Sequence, residues 1–164
     1  MNDMRTISTT FIILLTVAIS APVFAQASAS QVLTLEVKAV NKIAVTGNPM
    51  PLVINDIPAG LESATVSDYS TRYDVTTNME NMKIAASINS ALPDGMQLML
   101  DLGSQQGSTT GMVDVSNATT PVNVVTGIQR GSDAGQTIGY VFKAYASAGM
   151  MSSDARVVTL TITE

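Results

Sequence analysis

The sequence predicts an all-β fold, an antiparallel sandwich of two packed sheets with about eight or nine strands. Three observations carry this expectation. Between Tyr69 and Leu102, apolar and polar residues alternate in three successive runs, the period of a strand with one buried and one wet face. Those runs are joined by Asn78–Asn81 and by Leu92-Pro93-Asp94-Gly95. In the second turn proline fixes φ, aspartate bonds its own backbone and glycine takes positive φ. Similar short runs recur to the C-terminus at sandwich spacing, with no helical period after the first 25 residues. A closed barrel is the second architecture the pattern allows. An outer-membrane barrel is not expected, since several strands are too short and no aromatic girdles flank them.

In chain order, residues 1–25 read as an export signal. Met1–Arg5 is a short basic n-region, Phe11–Ile19 an apolar run of signal length, and Pro22 breaks it before Val23-Phe24-Ala25. Cleavage is expected after Ala25, with Ala27 as the second choice. An uncleaved anchor is the alternative, but the run is short for a span. Residues 26–164 are expected to form a single domain. Gln26–Ser30 reads as a flexible lead-in. Gln31–Lys38 reads as a strand with Leu33, Leu35 and Val37 on its inner face, continuing through Ala39–Val45 with a bulge or bend near Val40 and Asn41. Gly47–Pro51 is a turn, because two prolines forbid a central strand. Leu52–Ile57 is expected as a short strand and Leu61–Ser67 as a connector.

The central strands follow. Tyr69–Thr77 is expected to place Tyr69, Thr71, Tyr73, Val75 and Thr77 on one face. Met82, Ile84, Ala86 and Ile88 share a face, as do Met96, Leu98, Leu100 and Leu102. Gly103–Gly111 is a polar loop, Met112–Val115 a short strand and Val122–Ile128 a strand of the continuous apolar kind. Gly131–Gly135 is expected to turn the chain into Gln136–Ala146, where Ile138, Tyr140, Phe142 and Ala144 alternate. Ser147–Ser153 is a loop. Arg156–Thr163 closes the fold with Val158, Leu160 and Ile162 inward.

Composition narrows the function. The chain is 46% hydrophobic but only 13% charged and 4% aromatic, and its net charge of −5 argues against nucleic acid and anionic membranes as partners. Cysteine is absent, so neither disulfides, thiol catalysis nor a lipid-bearing cysteine is available. Histidine is absent too, which removes the commonest general base and metal ligand. No serine stands three residues before Lys38, Lys42, Lys83 or Lys143, and no glycine-rich phosphate loop is present. The acids Asp56, Asp68, Asp74, Asp94, Asp101, Asp114, Asp133 and Asp154 are scattered, and read as solvated turn and surface groups rather than a catalytic pair. Asp133 or Asp154 with backbone carbonyls is the remaining option for calcium. The ten methionines include the pairs Met79/Met82, Met96/Met99 and Met150/Met151. They suit core filling better than a Cu(I) site. With no tryptophan, and only Tyr145 expected outward, an aromatic sugar platform is not expected. Asn117–Thr119 matches a glycosylation sequon, but the signal looks bacterial. No catalytic residue, cofactor or metal is expected.

The order of Tyr73–Asn78, Met82–Ile84, Leu92–Gly95, Val124–Ile128 and Val157–Ile162 resembles small exported bacterial surface proteins of the spore-coat-U and fimbrial-subunit kind. The resemblance covers most of residues 26–164, through short, packing-driven motifs. It implies an immunoglobulin-like sandwich and, for the pilins, assembly by donating a strand to a neighbour. The chain departs from the pilin pattern in lacking a cysteine pair and in holding enough strands to complete its own sandwich.

Two functions remain. The first is an exported, non-enzymatic surface protein, structural or adhesive, that assembles by β-strand addition. Its donor would be Leu33, Leu35 and Val37, unless that strand pairs within its own chain. The second is a monomeric secreted module that binds a glycan or surface protein through Gly103–Gly111, Gly131–Gly135 and Ser147–Ser153. Expected partners are copies of itself or other envelope and surface proteins, met through sheet edges. The expected location is periplasmic, cell-surface or extracellular, with no membrane insertion after signal cleavage.

Overall fold

The structure, a computed structural model, describes residues 27–164. The chain divides into two units, Met1–Glu36 and Val37–Glu164. In the first, the described residues 27–36 form no regular secondary structure. The second is the sandwich.

Nine strands are present among the described residues: β1 (Asn41–Thr46), β2 (Ser63–Thr77), β3 (Met82–Ile88), β4 (Met96–Leu102), β5 (Ser108–Thr109), β6 (Val113–Asp114), β7 (Val122–Ile128), β8 (Gly131–Tyr145) and β9 (Val158–Thr163). One sheet has the order β1-β2-β8-β4-β6 and the other β5-β7-β3-β9. Every pairing is antiparallel. This is the all-β antiparallel sandwich that the alternation implies: each sheet buries the face that water would otherwise meet.

β3, β4 and β7 have the spans expected of them. Their limits are set locally. Asn81 takes positive φ in the turn before β3, and Gly95 takes φ +79 in the turn before β4, where the Met96 amide donates to the Pro93 carbonyl. The core joins the inward residues of these strands to Tyr73, Val75 and Ile138, with Ile84, Leu100 and Val124 fully buried.

Several expectations are corrected. Gln31–Lys38 is not a strand, and Leu33, Leu35 and Val37 do not face inward: they are 74%, 82% and 86% exposed. A run with strand propensity needs a partner to become a strand, and 31–38 pairs with none among the described strands. Leu52–Ile57 is irregular as well, since Pro49, Pro51 and Pro58 around it lack the amide donors of a ladder. Ser63–Ser67, read as a connector, and Gly131–Gly135, read as a turn, instead belong to the 15-residue strands β2 and β8.

β2 and β8 pair along almost their whole length, with register shifts between Asp68 and Thr71 and between Tyr73 and Val75. The first shift is a bulge in which Tyr69 and Ser70 oppose Gly139 alone. It reverses the expected phase: Asp68 is buried, and Tyr69 is 43% exposed on the outer face. Its ring fills the space a side chain on Gly139 would occupy. The second shift sits at Gly135, whose φ is +66 and whose amide donates to Asp74 Oδ1 at 2.6 Å. The adjacent burial of Val124 and Val125 on β7 has the same kind of origin, a shift in the β3–β7 register.

Candidate functional site

Residues 31–38 combine a strand pattern with exposure. Val32, 94% exposed, joins Leu33, Leu35 and Val37, so both faces of an extended chain here carry apolar side chains. The ladder between β1 and β2 is closed by a side chain. The Asn78 Oδ1 accepts from the Val40 amide at 2.8 Å, and its Nδ2 donates to the Lys38 carbonyl at 2.7 Å. The Asn78 amide in turn donates to the Val40 carbonyl at 3.1 Å. Asn78 thus takes the place of a strand partner for Lys38 and Val40, and regular pairing stops there.

A cleft of about 550 Å³ opens in the sandwich unit. β2 and β8 are longer than the strands of the facing sheet, so part of their inner face has no strand above it. Leu98, Tyr140 and Phe142 form an apolar floor there. One wall is Gly47–Leu52, the other Asp154–Val158. Arg156 holds the second wall: its Nη1 pairs with Asp154, and its Nη2 donates to the Ala91 carbonyl at 3.4 Å. Val45 of β1 and Val158 of β9, both edge strands, also line the cleft. The inward residues of these edges, Ile43, Val158, Leu160 and Ile162, are only half-buried against the core.

The two buried acids, Asp68 and Asp133, are both engaged in hydrogen bonds. Asp133 is 3% exposed, and its Oδ2 accepts from the Ser104 hydroxyl at 2.7 Å, the Gln105 amide at 2.7 Å and the Gln106 amide at 3.2 Å. Three donors aimed at one carboxylate oxygen are what an ionised carboxylate accepts. Asp154 is paired with Arg156. Asp68 accepts from the Ser70 hydroxyl and amide. These bonds hold its carboxyl below the usual range, the Ser70 hydroxyl first, against the opposing effect of burial. Among the described residues no three acidic side chains gather into a metal site.

Tyr73 anchors the loop that Asp133 organises, donating to the Gly103 carbonyl at 2.6 Å. Burial, and then the negative charge of Asp133, push its phenol from 10.0 up to about 12. The phenol of Tyr140 is also raised, by burial and then by Asp68. A raised phenol keeps its proton longer in the folded chain than in the unfolded one. Stability is therefore unaffected below pH 10 and falls as pH rises through 10 to about 12. Urea unfolding at stepped alkaline pH is expected to show this decline, and Tyr73→Phe to remove the larger part of it.

Met82 and Met96 are buried, as core filling requires, and Met150 and Met151 lie in an exposed loop. Tyr145 carries Lys143 Nζ over its ring, 4.3 Å from the centroid. Sequence reasoning missed Tyr69 as an outer-face aromatic; the bulge that turns it outward depends on pairing with Gly139. It also missed the cleft, which follows from unequal strand lengths in the two sheets. The loop Gly103–Gly111 is tied down by Asp133 and forms β5. Ser147–Ser153 is irregular apart from a short 3₁₀ turn at Ala146–Ala148.

The chain gives no significant match to any protein family model, curated protein or solved structure. No helix among the described residues is long and apolar enough to cross a membrane. The expected signal and its cleavage at Ala25 lie outside the described residues.

Proposed function

We propose that the protein is an exported, non-enzymatic surface subunit, structural or adhesive, which assembles by β-strand addition in the manner of a fimbrial subunit. The observation that carries this reading is the exposure of Leu33, Leu35 and Val37 on an unpaired run with strand spacing. A seven- or eight-residue segment of high β-propensity and low charge is an aggregation hazard unless a partner covers it. The sandwich offers free edges at β1 and β9 and a cleft floored by apolar side chains beside them. A strand laid there gains main-chain bonds from an edge and burial for its alternate side chains. The partner of first choice is a second copy of the chain, since donor and acceptor then come from one sequence. The reading places the protein in the periplasm, on the cell surface or outside the cell.

The outer face supports a second reading, a monomeric binding module. Tyr69 there is exposed over Gly139, and Lys143 and Tyr145 lie along β8. Size-exclusion chromatography and thermal melting of residues 26–164, with and without residues 26–38, separate the two. The assembly reading expects the intact chain to form ladders and the shortened chain to melt cooperatively as a monomer that no longer forms them. An intact chain that stays monomeric at every concentration sinks it in favour of the module.

A further inference from the structure

The connection between β1 and β2 runs from Gly47 to Glu62 without regular structure, long enough for loops of its length to be commonly functional. Its central part, residues 48–59, is weakly attached. Pro49, Pro51 and Pro58 have no amide to donate. The one backbone–backbone bond within it, among the described residues, is the Pro58 carbonyl accepting from the Leu61 amide at 3.0 Å. The Met50 amide faces the carboxylate of Asp68. No residue from 48 to 59 is fully buried, and Leu52 is the one that packs on the core. Met50 and Val53 are exposed although apolar.

Both ends of this segment are glycines in the left-handed region, Gly47 at φ +83 and Gly60 at φ +86. A side chain on Gly60 would meet nothing within 4 Å, so glycine there serves the backbone and not the packing. Gly47–Leu52 forms one wall of the cleft whose floor is Leu98, Tyr140 and Phe142. An irregular segment with few bonds, bounded by left-handed glycines and lining an apolar floor through residues 47–52, has the build of a movable cover.

We propose that residues 48–59 are a hinged lid that shields the apolar floor in the free subunit and gives way to the strand of a second copy. This rests on the assembly reading. It adds to it a reason why a chain with exposed donor residues does not collapse onto any neighbour it meets: the acceptor surface is fully open only while the lid is displaced.

The test is hydrogen exchange on residues 26–164 of the native protein and of Gly60→Val, with ANS binding and the rate of ladder formation followed in parallel. Valine at Gly60 acts on the backbone alone, and a left-handed valine disfavours the closed lid roughly tenfold. The expected result is a loss of protection of about that size at the Leu61 amide, whose bond to the Pro58 carbonyl is the main-chain tie of the segment, with β3 and β4 unchanged. ANS binding and ladder formation are expected to rise with it. A Leu61 amide that exchanges in step with β3 and β4 in both proteins overturns the proposal, because the segment is then a fixed wall. An opened Leu61 amide with an unchanged rate of ladder formation overturns its role as a cap and leaves assembly standing. If neither protein forms ladders, assembly itself fails, and independent exchange of Leu61 supports the lid alone.

Discussion

Replacing Leu33, Leu35 and Val37 together by aspartate is expected to abolish assembly while leaving the melting temperature of the subunit unchanged. The two halves of this result have separate causes. The three side chains are 74–86% exposed, and substitutions at exposed positions away from packing change stability by no more than about 0.5 kcal/mol. In an assembled neighbour the same side chains would be buried, at roughly 1.5–3 kcal/mol each. Losing all three weakens association by more than about a thousandfold, before the cost of burying three carboxylates is added. Thr34→Asp is the control, since Thr34 lies on the other face of an extended strand. If assembly depends on strand register, Thr34→Asp polymers persist. If simple stickiness of the segment drives association, one charge anywhere in it weakens the polymers to a similar degree. Analytical ultracentrifugation beside a thermal melt reads both halves. A triple variant that still forms ladders removes these residues as the donor.

The parts of this fold legible in the sequence are those whose signals are local. β3, β4 and β7 are short and alternate cleanly or carry a compact apolar run, and β3 and β4 start directly after Asn81 and Gly95, where backbone geometry is set by one residue. The full lengths of β2 and β8 were not legible: Tyr69–Thr77 and Gln136–Ala146 read as strand, but Ser63–Ser67 and Gly131–Gly135 carry loop-forming residues and become strand only by pairing, the first with Val141–Tyr145 and the second with Val75–Thr77. The converse holds for residues 31–38, where the apolar pattern is that of a strand and no ladder forms.

The candidate site divides in the same way. Leu33, Leu35 and Val37 were identifiable from their spacing, though their exposure was not, because exposure depends on what the rest of the chain pairs with. Tyr69 and Asp68 exchanged faces through a bulge opposite Gly139, and nothing in Tyr69–Thr77 alone announces it. The cleft belongs to no segment: it exists because one sheet is longer than the other.

Asp133→Ala is expected to be among the most destabilising single substitutions in the molecule outside the apolar core. In sequence this residue reads as a turn acid between glycines. In the fold it sits inside β8, is 3% exposed, and gives one oxygen to the Ser104 hydroxyl and the Gln105 and Gln106 amides. The Ser104 hydroxyl in turn accepts from the Gly107 amide at 3.0 Å, so the Gly103–Gly111 loop is strung on this one carboxylate. Alanine leaves three donors without an acceptor, at about 1–3 kcal/mol for each that water does not reach. Partial hydration brings the expected loss to about 3–5 kcal/mol, read as a fall in the urea midpoint at constant slope. Asp133→Asn separates geometry from charge. Its carbonyl oxygen still accepts from the loop, so about half the stability is expected to return. The charge does not, and Tyr73, which Asp133 helps to raise, is then expected to titrate below about 12. Burial still holds it above the ordinary phenol. A Tyr73 midpoint that stays put in Asp133→Asn means that burial alone raises it. Asp133→Ala with an unchanged urea midpoint means that the loop's amides find water, and that the carboxylate does not hold the loop.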